Sequence, residues 1–355
     1  MTDSDTIEFT DVVERVKAAL AGAASSTGAT FLPTETAEEI IELVYERNFM
    51  RSLLPAMPMS RRIVKVPKLT GSIDFHRQTL TNTESGDSPT ESRQTTNEVS
   101  LELKTMMANI PIGNYLVAYG VEGLLSVLRE DIASRLAFNE ANLFLNADTQ
   151  TTLADNIMGA YHASSNTGGI QTTSGSEKND YLLSFDGIRK SAAASDVTVS
   201  GTFALSHLRT AISNLGVYAD NREDLGFIVP RNLEVQLLGL TELQTVDKYG
   251  PAATILNGEI GRIYGIRVYA TGVIPVNQAV DGTSDSGSSD TYTSAVLTHV
   301  RSPLIGNSTV AERRFSIGFH DEPTKDRFVL IPKQDVAFAV RYGEAICEVV
   351  GINTV

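Results

Sequence analysis

Apolar residues recur along this chain in different rhythms, and the changes of rhythm divide it. Ile7, Val12, Val13, Val16, Ala19 and Leu20 fall at roughly helical spacing. The small-residue tract from Ala21 to Thr30 then reads as a flexible linker, so residues 1–30 are expected to form an arm. After Pro33, Thr36-Ala37-Glu38-Glu39 offers a capping box, and Ile40, Ile41, Val44 and Tyr45 supply one face of a short helix ending near Asn48. A period of two takes over next. Arg61 to Lys68 reads as a basic strand, Val99-x-Leu101-x-Leu103 as a returning one, and the polar stretch Thr79 to Thr90 as a solvated turn between them. Residues 56–104 are thus predicted to be a long β-arm. A two-stranded arm is marginal alone in water, and this one has little apolar surface of its own, so neighbouring copies of the chain are the expected support.

Helical spacing returns after Ile110-Pro111-Ile112-Gly113 closes the arm. Val121, Leu124, Leu125, Leu128, Ile132, Leu136 and Leu143 lie on one stripe, with Arg129, Glu130, Arg135 and Glu140 off it. The pattern predicts a helix from about Val117 to Ala147, on the order of 45 Å long at 1.5 Å per residue. Gln150 to Glu177 is rich in Thr, Ser, Asn and Gly and reads as a loop-heavy connection. A mixed region follows: helices are expected at 184–189, 205–212 and 231–238, a buried strand at Gly226 to Pro230, and a strand and turn pair at Asn257 to Tyr269. Asp281 to Asp290 reads as a surface loop. Strands are predicted at 295–300, 328–331, 336–342 and 345–350, completing a sheet begun much earlier in the chain.

Composition narrows the classes. With 355 residues and 42% apolar content, the chain can fill a sizeable core. It has no run of about 18 apolar residues, and Met1-Thr2-Asp3-Ser4-Asp5 is acidic where a signal peptide is basic, so neither secretion by that route nor a membrane span is expected. A net charge of −14 argues against gripping nucleic acid, whose partners display a basic face, and does not exclude a container whose wall should not adsorb the DNA inside it. The single cysteine, Cys347, sits in a strand-like apolar run and reads as a small buried hydrophobe.

Chemistry is thin. His76, His162, His207, His299 and His320 stand apart, with no second histidine three to five residues away, and read as surface or packing residues. Gly258-x-x-Gly261-x-x-x-Gly265 lacks the spacing of a dinucleotide fingerprint and the lysine of a phosphate loop, so these glycines are turn residues. Glu38-Glu39 and Glu223-Asp224 are explained by a helix start and a polar loop. No Gly-x-Ser-x-Gly elbow occurs. The expectation is a non-enzyme with no catalytic, metal or cofactor-binding residues and no cofactor.

The order of these parts, with Phe49 to Pro58 entering the arm, Ala108 to Gly113 leaving it and the long helix beyond, resembles the major capsid proteins of tailed double-stranded DNA viruses, the Hong Kong 97-type fold. The resemblance covers essentially the whole chain. It implies an α+β fold with an N-terminal arm at 1–30, an E-loop β-hairpin at 56–104, a long spine helix, a peripheral domain at 30–55, 105–150 and 295–355, a connecting loop at 151–179 and an axial domain at 180–294. It further implies self-assembly as hexamers and pentamers into an icosahedral shell enclosing double-stranded DNA without sequence-specific contact. The virion capsid is then the expected location, with assembly in the host cytoplasm. A portal protein is an implied partner, and decoration proteins are optional ones. Only some thirty residues precede the first predicted helix, so scaffolding is expected from a separate protein.

The candidate site is the arm itself. Arg61, Arg62, Lys65, Lys68 and Arg77 on the outgoing limb face Glu84, Asp87, Glu91, Glu98 and Glu102 at the tip and on the return. These charges can pair within the arm or across subunits, and either way set register more than affinity. Two other readings compete: an encapsulin-like nanocompartment shell, which shares the fold and holds protein cargo, and a cytoplasmic α/β enzyme, which needs a convergent polar site that the sequence does not display.

Overall fold

A computed structural model describes residues 50–71, 73, 75, 94–114, 124–150, 156–158, 181–240, 261–284, 291–310 and 316–354. The predicted arm at 1–30, the capped helix at 36–48, the arm tip at 79–90 and most of the 150–177 connection lie outside the described residues. The first elements are α1 (Met50–Leu53), β1 (Ala56–Met59), β2 (Ile63–Leu69), β3 (Thr96–Glu102), β4 (Lys104–Met107) and β5 (Ile110–Gly113). The spine follows as α2 (Leu124–Asn146), 23 residues and therefore about 35 Å at 1.5 Å per residue. Then come β6 (Val197–Gly201), α3 (Leu205–Asn214), β7 (Leu225–Pro230), α4 (Arg231–Leu238), β8 (Arg262–Ile263) and β9 (Ile266–Thr271). The last five are β10 (Tyr292–His299), β11 (Pro303–Ser308), β12 (Ser316–Glu322), β13 (Arg327–Val340) and β14 (Ile346–Asn353).

The chain divides into two compact units. The larger, residues 48–104, 140–311 and 335–355, is built on a mixed sheet of order β6-β14-β10-β7-β9-β8. Every residue of β7, Leu-Gly-Phe-Ile-Val-Pro, is buried, which is why its sequence shows a continuous apolar run and no alternation. Leu205, Leu208 and Ala211 of α3 and Leu233 and Leu237 of α4 pack with Phe227, Val229, Leu297, Cys347 and Val349 into one core. Tyr264 and Gly265 turn β8 into β9 with both φ angles positive, +51° and +85°, the mirror-image turn that suits a tight hairpin. In the same unit β1 runs parallel to β11, Ala56 opposite Ile305, and β11 runs antiparallel to residues 336–340 of β13.

The smaller unit holds residues 105–139 and 312–334 among those described. There β13 lies antiparallel to β12, Ser316 opposite Lys333, and to β5, Leu330 opposite Ile110. Two strands were expected at 328–331 and 336–342, but β13 is continuous for 14 residues. Pro332 does not break it, and its carbonyl accepts the Ala108 amide at 3.2 Å. Strands of the C-terminal sixty residues reach back to early partners, as expected, but divide between two sheets: β14 pairs with β6 and β10, whereas β11 and β13 pair with β1 and β5.

Two further expectations are corrected at the end of the spine. Residues 184–189 are a turn rather than a helix, because their amides serve another helix. Gly187, Ile188 and Arg189 donate to the carbonyls of Ala147, Phe144 and Leu145 at 2.7, 2.8 and 3.1 Å, satisfying groups that a helix end leaves orphaned. Glu140, placed off the apolar stripe by sequence, is 3% exposed, and every residue from 140 to 148 is buried. The polar ones are paired. Asn142 gives its amide to the Tyr181 hydroxyl at 2.8 Å and accepts the Asn146 amide on Oδ1 at 2.7 Å, Asn146 also donates to the Val273 carbonyl at 3.0 Å, and Asp148 accepts from the Lys190 ammonium at 2.9 Å.

Burial, then the carboxylates of Asp196 and Glu348, push the Cys347 thiol up to about 12. The folded state therefore keeps the proton that an unfolded thiol gives up near pH 9, and the associated stability is whole below that pH and lost as pH rises toward 12. The unfolding midpoint in urea is expected to fall more steeply between pH 9 and 11 in the wild type than in Cys347→Ala. A Cβ on Gly187 would stand 2.8 Å from the Leu145 carbonyl oxygen. Gly187→Ala is expected to cost about 1–3 kcal/mol in equilibrium unfolding. Gly113→Ala, whose Cβ meets nothing within 4 Å, is expected to stay within about 0.5 kcal/mol of wild type.

Candidate functional site

The arm begins from a fixed point. In α1, Arg51 donates through Nε to Glu140 Oε2 at 2.7 Å and through Nη1 to Asn307 Oδ1 at 2.8 Å, while Nη2 meets the second Glu140 oxygen. This fork grips the carboxylate at two points, and the Glu140 hydrogen bond holds the guanidinium above its usual pKa. Sequence reading missed Arg51, which lies inside the segment entering the arm and carries no motif.

From β1 the chain enters β2, which pairs antiparallel with β3 in the register Val64↔Leu101, Lys65↔Ser100, Val66↔Val99 and Pro67↔Glu98. Opposed residues share a face. One face carries Val64, Val66, Val99 and Leu101, and the other Ile63, Lys65, Pro67 and Leu69 with Glu98 and Glu102. The first face turns inward. Leu101 is fully buried with Met59, Leu304 and Ala337, and Val64, Val66 and Leu103 pack against them. The expectation that the arm has nothing of its own to fold against is therefore corrected at its root: β11 and β13 of the same chain support it.

The predicted charges separate by position. Arg62 Nη2 lies 3.1 Å from Glu102, Lys65 pairs with Glu98, and Lys104 adds a 3.6 Å contact to Glu102. Lys68 meets no carboxylate among the described residues; its ammonium sits 5.2 Å from the ring centre of Tyr342. Arg61 is exposed and has no partner among the described residues. Arg77, Glu84, Asp87 and Glu91 lie outside the described residues. The pairs within the arm are exposed, and such pairs contribute about 0–1 kcal/mol. Burying a side chain such as Leu101 contributes about 1.5–3 kcal/mol, so apolar contact fixes the root and the charges tune its register.

A second tie was not visible in the sequence. The guanidinium of Arg341 lies 5.6 Å from the Tyr342 ring centre, and its Nη2 donates to the Pro67 carbonyl at 3.2 Å. Tyr342 is held in turn by Ser302, whose hydroxyl donates to the Tyr342 carbonyl at 2.6 Å and accepts its amide at 3.1 Å. An aromatic residue in contact with two cations is thus held at the strand end beside the arm. The signal in sequence was only Arg341-Tyr342 after an alternating strand, which packing alone also explains.

Among the described residues no group of three His, Cys, Asp or Glu could hold a metal ion, and no described helix is long and apolar enough to cross a membrane. His207 accepts the Ala204 amide at 3.0 Å at the start of α3. Burial lowers the pKa of His299, whose ring nitrogen accepts the Arg301 amide at 3.3 Å. His76 and His162 are outside the described residues. The ordered chemistry of the site is that of a clamped ribbon with one covered face and one open face.

Comparison with known proteins agrees with that picture. The sequence matches the phage capsid family over residues 28–232. It is 26% identical over 126 residues to the major capsid protein of Klebsiella oxytoca phage phiKO2, an alignment covering 35% of this chain and 28% of that relative. The alignment thus spans less than a third of the relative's length. The structure is similar to the capsid of a native GTA particle, with a TM-score of 0.59 at 13% identity over 93% of this chain and 98% of that one. It is also similar to the holo-SrpI encapsulin complex from Synechococcus elongatus PCC 7942, with a TM-score of 0.54 at 10% identity over 96% and 95% of the two chains. The α+β fold is that of the Hong Kong 97-type capsid proteins, and by the family match over more than half of its length the chain belongs to the phage capsid family.

Proposed function

We propose that copies of this chain assemble as hexamers and pentamers into an icosahedral shell that encloses double-stranded DNA in the virion. One observation carries the reading: a ribbon anchored to its own body along one face leaves a second face, with apolar residues on it, open to solvent. Residues 56–104 act as the E-loop and reach over a neighbouring copy. The spine α2, with β1, β11, β12 and β13, belongs to the peripheral region. We assign β10 and β14 to the axial region together with 180–294, since both strands hydrogen-bond into the sheet that contains β6 and β7. The chain acts as a structural protein rather than an enzyme. A portal protein and a separate scaffolding protein complete the assembly in the host cytoplasm, and the acidic wall holds DNA without reading its sequence.

The energy of such a shell comes from repetition. Each copy makes several modest contacts, and each later contact forms at high effective concentration. The Tyr342 clamp serves this by fixing the arm before it meets its partner, which lowers the ordering cost of association.

Deletion of residues 60–102, which also uncovers Met59, Leu304 and Ala337, is expected to leave a soluble chain that never closes into shells in electron micrographs; intact capsids from that variant would show the assignment to be wrong. Shells of the wild type are expected to contain nuclease-protected DNA. Protein cargo in its place marks a compartment of the encapsulin kind, the other reading that the structural likeness favours. Tyr342→Ala is expected to raise the subunit concentration needed for assembly by about 3- to 10-fold, in line with one lost aromatic clamp, with the thermal midpoint of the free subunit nearly unchanged.

A further inference from the structure

We propose that the β8–β9 hairpin carries a binding site for a phosphate dianion, held by the guanidinium groups of Arg262, Arg267 and Arg222. The site lies at the edge of the mixed sheet, where β8 pairs only with β9. It belongs to the single chain and does not depend on the shell reading.

Local sequence forces the arginines together. Ile263 and Ile266 are opposed across the two-residue turn Tyr264-Gly265, and both are buried in the core beneath the sheet. Burial of that pair turns the next one, Arg262 opposite Arg267, to the other face, where both residues are exposed. The Val268 amide reaches the Gly261 carbonyl at 3.4 Å, so the ladder bonds fall on either side of the arginine pair. Such a non-hydrogen-bonded pair is the kind that brings side chains closest, with Cβ atoms about 4.5–5.5 Å apart. A third guanidinium is pinned beside them. Arg222 donates through Nη1 to the Tyr264 carbonyl at 3.1 Å, and a Cβ on Gly265 would stand 3.9 Å from that of Arg222.

Like charges directly opposed on a sheet repel, and here the chain compensates them incompletely. Among the described residues Arg262 meets a carboxylate only at 3.7 Å, from Glu223, whose side chain is 74% exposed, and Arg267 meets none. Asp224 is engaged elsewhere, by Arg301 at 3.4 Å and by the Asn221 amide at 2.7 Å. Three guanidinium groups against one glutamate leave two positive charges, on a chain whose net charge is −14.

That surplus selects the ligand. A phosphate group carries about −1.5 to −2 near neutral pH, and its oxygens accept from guanidinium forks in pairs. A single carboxylate leaves one charge over. A long polyanion meets the repulsion of the whole acidic chain, whereas a small dianion feels the three arginines at contact distance.

The test is calorimetric titration of inorganic phosphate into the full-length chain at pH 8, against a chloride blank of matched ionic strength. Arg262→Gln and Arg267→Gln are each expected to weaken binding by about 10-fold or more, the size of one lost charge-assisted hydrogen bond. Arg209→Gln, an exposed position on α3, is expected to stay within about 2-fold of wild type. Thermal unfolding gives a second readout. Phosphate raises the midpoint of the wild type, while Arg267→Gln without phosphate unfolds no lower than wild type, because a repulsion has been removed. Absence of phosphate binding by the wild type, or equal binding by the two hairpin variants, overturns the site. A short DNA duplex is the rival probe and is expected not to compete. Duplex binding that the same two substitutions abolish assigns the arginines to nucleic acid and overturns the phosphate-dianion site.

Discussion

A ribbon of two strands has no interior, and this constraint shapes the larger unit. Whatever apolar residues alternate along it must be covered by something that is not the ribbon. Here one face is covered by the chain itself, with Leu101 set between Met59, Leu304 and Ala337, and the rest of the root is tied down around it. Arg51 fixes the entry through Glu140 and Asn307, and Arg341 and Tyr342 hold Pro67 and Lys68 from the other end of β13. Because these ties come from α1, α2, β11 and β13, the direction of the arm follows from where those elements lie in the core.

The end of the spine shows the same economy in polar groups. A helix that terminates inside a protein must find donors for its last carbonyls, and the turn at 187–189 provides three. Arg189 then turns its side chain to Glu348 at 2.6 Å, to Asn146 at 3.0 Å and to the Gly282 carbonyl. Breaking such a buried pair by removing one partner leaves an unpaired charge in the core, at a cost of about 3–5 kcal/mol. One residue thereby joins the helix end, β14 and the 279–284 segment, parts that stand far apart in sequence.

Much of this was legible beforehand because it depends on local periodicity. The arm limbs, the spine, α3, α4 and the buried strand β7 each announce themselves by spacing, and the order of parts led to the correct fold. The errors came where a tertiary partner outweighed a local pattern. Ser184 to Arg189 has helical spacing but spends its amides on α2, and Glu140 looks like a surface residue until Arg51 is brought 89 positions to meet it. The strands expected at 328–331 and 336–342 are one, because a sequence does not show that Pro332 keeps a strand partner through its carbonyl. At the candidate site, Arg62, Lys65, Glu98 and Glu102 could be chosen from charge and alternation. Tyr342 and Arg341 could not, since nothing in the sequence brings residue 342 beside residue 68.

The clamp at Tyr342 has a consequence for how the protein responds to ionic strength. Exposed ion pairs such as Arg62 with Glu102 are screened over a Debye length of about 8 Å in physiological salt and more strongly in brine. Burial of Leu101 is not, and at Pro67 the Arg341 guanidinium meets a neutral carbonyl rather than a second charge, so ionic screening reaches that tie less. Salt therefore separates two kinds of tie in one ribbon. It loosens the charge pairs that tune the register of β2 on β3, while the apolar seat of Leu101 that anchors the root keeps its setting.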